Sequence, residues 1–185
     1  MSIFDHRIHI LIFNLLCTLV CIVPSLAAAK EDSLSREYQI KAAYIYNLIK
    51  FINWPEQAQS RTATNICVYG QNPFGDYLDQ LTKRSANGKP INTYHFELDE
   101  ELSSCHIVFF SKASEEQISK NVFKQLQFKN YLNVGETRNF VTNHKGVISL
   151  AVTNNKVRLL INLSQAKSEN FEISSNLLEI AEIIM

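Results

Sequence analysis

The protein has 185 residues, and its 18 Lys and Arg side chains balance 18 Asp and Glu side chains, so the formal net charge is zero. Hydrophobic residues make up 46% of the chain, and charged residues make up 19%. This composition is typical of a globular protein and excludes a disordered chain, a collagen-like repeat and a disulfide miniprotein. A zero net charge provides no overall attraction to nucleic acid, so we expect no nucleic-acid partner.

The N-terminus has the pattern of a secretory signal peptide. Arg7 precedes the apolar stretch 8–26, which Pro24 closes, and small residues follow up to Ala29. A basic start, an apolar middle and an Ala-x-Ala site predict export with cleavage after Ala29. The predicted organisation is therefore a signal peptide at 1–29 and one mature domain at 30–185.

Two other interpretations of this segment stay open. A retained transmembrane anchor would need a longer apolar run, because Asn14 interrupts the stretch and Pro24 ends it. A lipoprotein would need a small residue before its cysteine, whereas Leu16 and Val20 precede the two cysteines of this segment.

Cleavage would leave Cys67 and Cys105 as the cysteines of the mature domain. Two cysteines in an oxidising compartment most often pair. In the chain-entropy model, a disulfide over so long a loop stabilises the fold by roughly 4 kcal/mol. Two separate buried thiols are one alternative. A metal site that includes His106 is another, although a second closely spaced ligand pair is missing.

The mature chain begins with a predicted helix at 34–53. Ser33 or Ser35 can cap its start, and Trp54-Pro55 ends it, because a proline disfavours helical geometry in the residue before it. Apolar residues recur along it at three- and four-residue steps, at Tyr38, Ala42, Ile45, Ile49 and Ile52.

The middle of the chain alternates strand and helix patterns. Residues 65–69 predict a strand, 74–83 a helix and 91–96 a second strand. The run 105–110 is apolar throughout, which indicates a strand buried on both faces, as in a parallel sheet covered by helices. Ser114 and Gln117 form a capping-box pattern that predicts a third helix ending near Phe128.

The C-terminal part predicts a strand at 131–134, a helical turn near Asn139, a β-hairpin at 147–163 around Asn154-Asn155, and a last helix at 174–184. The alternation over about 155 residues predicts one α/β domain. Its central sheet would be mainly parallel, with helices on both faces and a C-terminal antiparallel hairpin.

The loop 70–75, between a strand and a helix, is the best candidate for a binding site. In an open α/β sheet, ligands favour the crevice at the carboxyl ends of the strands. We take Gln71, Asn72 and Phe74 of this loop, with Glu136 at the same edge, as candidate contacts for a ligand or partner. The alternative is that these residues only form structural turns. The glycine spacing excludes a P-loop and a dinucleotide fingerprint.

The sequence contains no other motif typical of a catalytic or metal-binding site. We therefore predict no enzymatic activity, no catalytic residues, no cofactor and no metal. His95, His106 and His144 have no ligand spacing, and His106 is expected to be a core residue. A Gly-x-Ser-x-Gly elbow is lacking. The pairs Glu100-Glu101 and Glu115-Glu116 are interpreted as solvated faces.

An aromatic cluster lies on and after the first helix, at Tyr44, Tyr46, Phe51 and Trp54. Core packing is one interpretation of this cluster. An exposed aromatic edge that contacts a partner is the other, because aromatic anchors concentrate at interfaces.

Several segments, taken together in their order and spacing, resemble the YfiR family of small exported proteins. The resemblance runs from Tyr38 to Ala181 and is carried by residues 41–47, 50–51, 54–55, 66–68, 70, 73–75, 105–111, 134–136, 146–148, 157–158, 161–163, 173–175 and 177–178.

The resemblance implies a non-enzymatic periplasmic regulator. It would bind the periplasmic sensory domain of an inner-membrane signalling protein, with a diguanylate cyclase as the leading candidate, and lower cyclic di-GMP. An outer-membrane-associated lipoprotein could sequester the regulator. Apart from the resemblance, association of two copies as a homodimer stays open, because the sequence does not decide the oligomeric state. The resemblance also implies a disulfide between Cys67 and Cys105. Family members with four mature cysteines can form a second disulfide, whereas this chain has only two.

Two other functions stay open. A periplasmic small-ligand sensor would need an apolar pocket with a few polar groups at the 70–75 edge. An uncharacterised periplasmic enzyme would need a nucleophile, base or metal cluster assembled from residues distant in sequence.

Overall fold

A computed structural model describes residues 23–96, 102–117 and 131–184. Most of the predicted signal peptide, the pair Glu100-Glu101 and the second half of the predicted third helix lie outside these ranges. Cleavage after Ala29 stays a prediction. Among the described helices, none is both long and apolar enough to cross a membrane.

Six α-helices and one 3-10 helix occur in the described residues. They are α1 (Val23–Phe51), α2 (Glu56–Gln59), the 3-10 helix (Asp79–Lys83), α3 (Lys112–Gln117), α4 (Arg138–Thr142), α5 (Leu163–Ser168) and α6 (Ser175–Glu179). Helix α1 spans the boundary of two compact units, one ending at Glu37 and one starting at Tyr38. The sheet and its core belong to the second unit.

The described strands form a two-stranded and an eight-stranded sheet. They are β1 (Ile52–Asn53), β2 (Thr64–Tyr69), β3 (Ser85–Ala86), β4 (Lys89–Phe96), β5 (Ile107–Phe110), β6 (Leu132–Gly135), β7 (Ile148–Thr153), β8 (Lys156–Asn162), β9 (Glu172–Ile173) and β10 (Glu182–Ile184). The large sheet has the order β10-β8-β7-β6-β5-β2-β4-β3, and β1 pairs with β9. Its pairs are parallel except β7–β8 and β3–β4.

The core lies on both faces of the large sheet, because successive strand residues point to opposite sides. On one face, Ile66 and Phe109 pack with Ile45 and Leu48 of α1. On the other face, strand residues pack with Phe140 of α4. Helices therefore cover both faces, and β5 is buried at all four residues, as its apolar run predicts. This architecture confirms the predicted fold class.

Helix α1 begins before its predicted start. The pattern predicts capping at Ser33 or Ser35, but the helix runs through both from Val23 to Phe51. The residues before Ser33 include three consecutive alanines, and alanine has the highest helix propensity. The predicted end is two residues too late, because Ile52 and Asn53 pair with β9 as a short strand.

The predicted helix at 74–83 is wrong over its first half. Gly75 has a φ of +53°, which an α-helix does not allow, and a turn stands there instead. A 3-10 helix, Asp79–Lys83, follows. A short hairpin that the sequence interpretation missed comes next. Its signal was Asn87-Gly88, both with positive φ, which is the residue pair that two-residue hairpin turns prefer.

The cap of the third helix lies three residues before the predicted one, and the helix begins at Lys112. The Ser111 hydroxyl, and not that of Ser114, accepts from the backbone at the start of α3, since Ser114 N donates to Ser111 Oγ at 3.3 Å. Ser114 itself lies inside the helix.

The C-terminal hairpin is confirmed, whereas the last helix is too long. Strands β7 and β8 pair antiparallel, and both Asn154 and Asn155 have positive φ in the turn between them. Helix α6 ends at Glu179, and Glu182–Ile184 form β10, which pairs in parallel with β8 at the edge of the sheet. The spacing of the apolar residues in this segment is compatible with a helix or a strand. The segment forms a strand because the edge of β8 is available for pairing.

A close approach at Gly135 allows a direct test of this packing. An added Cβ would lie 2.3 Å from the Phe140 ring and 2.6 Å from Glu115 Oε1, both on buried side chains. We expect Gly135→Ala to lower the free energy of unfolding by about 3 kcal/mol, measured by urea denaturation, because overpacking forces neighbours to move. Gly75→Ala is the control. Its Cβ would meet nothing within 4 Å, so only the positive φ costs about 1 kcal/mol. Equal losses in the two variants would contradict the close approach.

Candidate functional site

The strand order places a topological switch point between β2 and β5. The chain leaves β2 towards β4 on one side, and it leaves β5 towards β6 on the other. In α/β sheets, ligands favour the carboxyl ends of the strands at such a point. The loops after β2, β5 and β6 meet at this edge, which is the edge predicted from the sequence.

Of the residues predicted as contacts in the loop 70–75, two lie on the surface and one lies in the core. Gln71 and Asn72 are exposed, and Asn72 Oδ1 accepts from Phe74 N at 3.0 Å, which closes a tight local turn. Phe74 is buried, with its ring 4.7 Å from that of Phe109 and 5.4 Å from that of Tyr38. The role of these residues in binding stays a prediction.

Glu136, the fourth predicted contact, forms a buried ion pair. Lys41 of α1 is only 2% exposed, and its Nζ donates to Glu136 Oε1 at 2.5 Å. The other carboxylate oxygen accepts from Lys112 N, at the start of α3. Glu136 therefore joins α1, α3 and the end of β6 at one point.

Glu115 extends this polar network, and its interpretation as a solvated residue was wrong. It is buried, and its Oε1 accepts from Glu136 N at 2.5 Å and from Thr137 N at 3.2 Å. Its Oε2 accepts from the Thr137 hydroxyl, and the same hydroxyl caps α4 by accepting from Phe140 N. Burial raises the pKa of Glu115 to about 7, against the hydrogen bonds from Thr137 and Glu136, which lower it.

Two serines complete the edge at the switch point. Ser114 Oγ donates to the carbonyl of Tyr69, the last residue of β2, at 2.7 Å, and it lies 2.8 Å from Ser111 Oγ. The protein's own ion pair and hydrogen bonds thus fill the interior of this edge among the described residues. The small-ligand interpretation had placed an apolar pocket here, and the arrangement favours a structural role.

The sequence interpretation missed Lys41 and Glu115 as members of this network. Lys41 carried a usable signal, because it is a charged residue one helical turn before Ile45 on the apolar face of α1. A buried lysine needs a partner. Glu115 had no comparable signal in the sequence, since its burial depends on the packing of α3 against the turn after β6.

The disulfide between Cys67 and Cys105 is present, and both residues are fully buried. Their Cα atoms are 5.9 Å apart, at a sequence separation of 38. The bond joins β2 to the residues just before β5, inside the core.

His106 is a core residue, as expected. Its Nδ1 accepts from Asn65 N at 3.0 Å, and its Nε2 lies 3.0 Å from the carbonyl of Ala58, to which it donates. Burial lowers the pKa of His106, which keeps the ring neutral at pH 7. Over the described residues, no group of three or more His, Cys, Asp or Glu side chains could hold a metal ion.

Most of the aromatic cluster packs against the core, and a role in contacting a partner stays a prediction. Trp54 packs edge-on against Phe171 and His106, at centroid distances of 5.8 and 5.9 Å. Tyr44 and Tyr46 also pack against the core. Phe51, in contrast, is 36% exposed on the outer side of α1.

A family model described as YfiR/HmsC-like (DUF4154) matches residues 38–182. The chain belongs to the YfiR/HmsC-like family. No curated protein matches the chain. The region matched to the YfiR/HmsC-like model contains Lys41, Glu136, Cys67 and Cys105, so the ion pair and the disulfide both lie within it.

Breaking the ion pair of this YfiR/HmsC-like domain should be costly. We expect Lys41→Met to lower the free energy of unfolding by about 3 kcal/mol, because it leaves the Glu136 carboxylate buried without its cation. The double variant Lys41→Met/Glu136→Gln should recover part of this loss, since no unpaired charge remains. Urea denaturation of both variants and of Glu136→Gln gives the coupling energy. Additive losses would contradict a coupled pair.

Glu115 should make stability depend on pH. Its pKa is raised from 4.5 to about 7 in the fold, so the folded protein holds a proton that the unfolded chain releases between these values. Relative to Glu115→Gln, the wild type should therefore lose stability as the pH rises from about 4.5 to 7, by up to about 3 kcal/mol.

Urea denaturation of the wild type and Glu115→Gln at pH 5 and pH 8 measures this effect. The comparison isolates Glu115, because Glu169, whose pKa burial also raises to about 7, is present in both proteins. A stability difference that is equal at both pH values would contradict the prediction.

Proposed function

We propose that the protein is a non-enzymatic periplasmic regulator that binds the periplasmic sensory domain of an inner-membrane signalling protein. In this proposal the partner is a diguanylate cyclase, and binding represses it, so that cyclic di-GMP falls. An outer-membrane-associated lipoprotein removes the regulator and relieves the repression. The observation that carries the proposal is the YfiR/HmsC-like match over residues 38–182.

The disulfide supports a periplasmic location. Disulfides persist in oxidising compartments and are rare in the cytosol. The bond between Cys67 and Cys105 lies in the core beside His106, so the domain depends on oxidation for part of its stability. This agrees with the export signal that the sequence predicts at 1–29.

The polar network at the switch point supports binding through a surface. Lys41 and Glu136 occupy, as a buried pair, the edge where a small ligand of an α/β protein would bind. A regulator that acts on another protein needs an exposed patch, and exposed apolar side chains mark such patches.

Two groups of exposed apolar side chains in the second unit are candidate partner surfaces. On α1, Ile40 is 41% exposed and lies eleven residues, or about three turns, before Phe51 on the same side of the helix. At the end of the chain, Ile180 is 66% exposed and Ile183 is 38% exposed, next to the edge strand β10. An edge strand can also pair with a second copy of the chain, which would form the homodimer that the sequence leaves open.

A pull-down from bacterial membranes tests the proposal. The protein, tagged at its C-terminus, should capture under oxidising conditions an inner-membrane protein with a diguanylate cyclase domain. Ile40→Glu and Ile180→Glu each place a charge on one candidate surface, and the one that contacts the partner should lose capture. Tyr94→Ser is the matched control, because Tyr94 is exposed on a strand at the other end of the sheet from β10.

The disulfide gives a second variant. Cys67→Ser should lower the free energy of unfolding by about 2–5 kcal/mol and reduce capture in proportion to the folded fraction. Capture of a receptor without a cyclase domain would overturn the cyclase assignment and keep the regulatory function. Failure to capture any membrane protein with the folded, oxidised chain would overturn the regulatory function itself.

A further inference from the structure

A cleft of about 310 Å³ lies at the opposite end of the sheet from the switch point. Thr64 and Lys89, the first residues of β2 and β4, line its floor, and Ile52 and Trp54 line the side that follows α1. The side-chain network that fills the carboxyl edge does not reach this end. The residues named above for the two candidate partner surfaces do not line the cleft.

The lining of the cleft is positively charged. Lys89 contributes an ammonium group, and the lining residues that the structure describes include no carboxylate. Burial is the main cause that lowers the pKa of His106, which also lines the cleft, and the positive charges of Arg61 and Lys89 lower it further. An anion is therefore favoured over a cation or a neutral molecule.

Two hydrogen-bond donors remain for such an anion. Thr64 is only 5% exposed, and its hydroxyl makes no hydrogen bond with a described residue. Because this oxygen is not among the described buried side-chain atoms that lack a partner, it is open to the solvent of the cleft and can donate to an anion there. Lys89 donates one hydrogen to the carbonyl of Gln59 at 2.5 Å, and an ammonium group has three to give.

The other wall is apolar and limits the size of the ligand. Trp54 and Ile52 present carbon surface, and the volume corresponds to roughly ten non-hydrogen atoms, at about 30 Å³ for each water-sized group. We propose that the cleft binds a small organic carboxylate, with its anionic group at Lys89 and the Thr64 hydroxyl and its apolar body against Trp54 and Ile52.

Binding in the cleft can be followed by intrinsic tryptophan fluorescence, because Trp54 lines the cleft and is the only tryptophan of the protein. Titration with sodium pentanoate at constant ionic strength should produce a saturable change in tryptophan fluorescence with a Kd in the millimolar range, as expected for so small a ligand. Pentanamide, which has the same shape and no charge, should bind at least about tenfold more weakly, since the charge-assisted contact to Lys89 is lost.

Two variants test the assigned contacts. Thr64→Val removes the hydroxyl at nearly constant shape, and Lys89→Gln removes the charge, so each should weaken pentanoate binding by about fivefold or more. Lys83→Gln is the control, because Lys83 is exposed on the 3-10 helix and does not line the cleft. Urea denaturation followed by the same fluorescence verifies that each variant is folded.

Three results would overturn the proposal. The first is the absence of saturation with pentanoate up to about 50 mM, in fluorescence and in calorimetry alike. The second is equal binding of pentanamide, which would leave the charge without a role. The third is equal binding by wild type and folded Thr64→Val and Lys89→Gln, which would place the ligand elsewhere. None of these results bears on the regulatory proposal, which rests on the family match over residues 38–182.

Discussion

The buried ion pair between Lys41 and Glu136 is the contact on which the arrangement of the carboxyl edge depends. A lysine that is 2% exposed has lost its hydration, and only a paired carboxylate at 2.5 Å makes that position tolerable. The same carboxylate accepts from the start of α3, and Glu115 of α3 accepts from the backbone of Glu136 and Thr137. The first helix, the third helix and the end of β6 are therefore joined by one ion pair and several hydrogen bonds.

The disulfide acts at a different place and in a different way. It joins Cys67 in β2 to Cys105 just before β5, on the face of the sheet that is opposite to α1. Its main effect is on the unfolded chain, whose freedom it reduces. The disulfide therefore links the two central strands β2 and β5, whereas the ion pair links α1 to the end of β6.

Part of this structure could be predicted from residue patterns. The run 105–110 indicated a strand buried on both faces, and all four residues of β5 are buried. Asn154-Asn155 indicated the hairpin, because asparagine tolerates the positive φ that such a turn requires. The second half of the last helix could not be predicted. Ile183 and Ile184 are compatible with the apolar spacing of a helix and with that of a strand. Which of the two forms depends on the free edge of β8, which lies more than twenty residues away along the chain.

The sequence by itself determined the fold class, the disulfide expected from two cysteines, and the family, because these follow from local pattern, composition and the order of motifs. Only the tertiary structure decided where the charged groups lie. Glu115 and Glu116 are neighbours in the same helix, yet the first is buried and accepts three hydrogen bonds while the second is exposed. Thr64 and Lys89 likewise meet at one cleft only because β2 and β4 are adjacent in the sheet. Burial and proximity are properties of the packed chain, since they arise from segments that are distant in sequence.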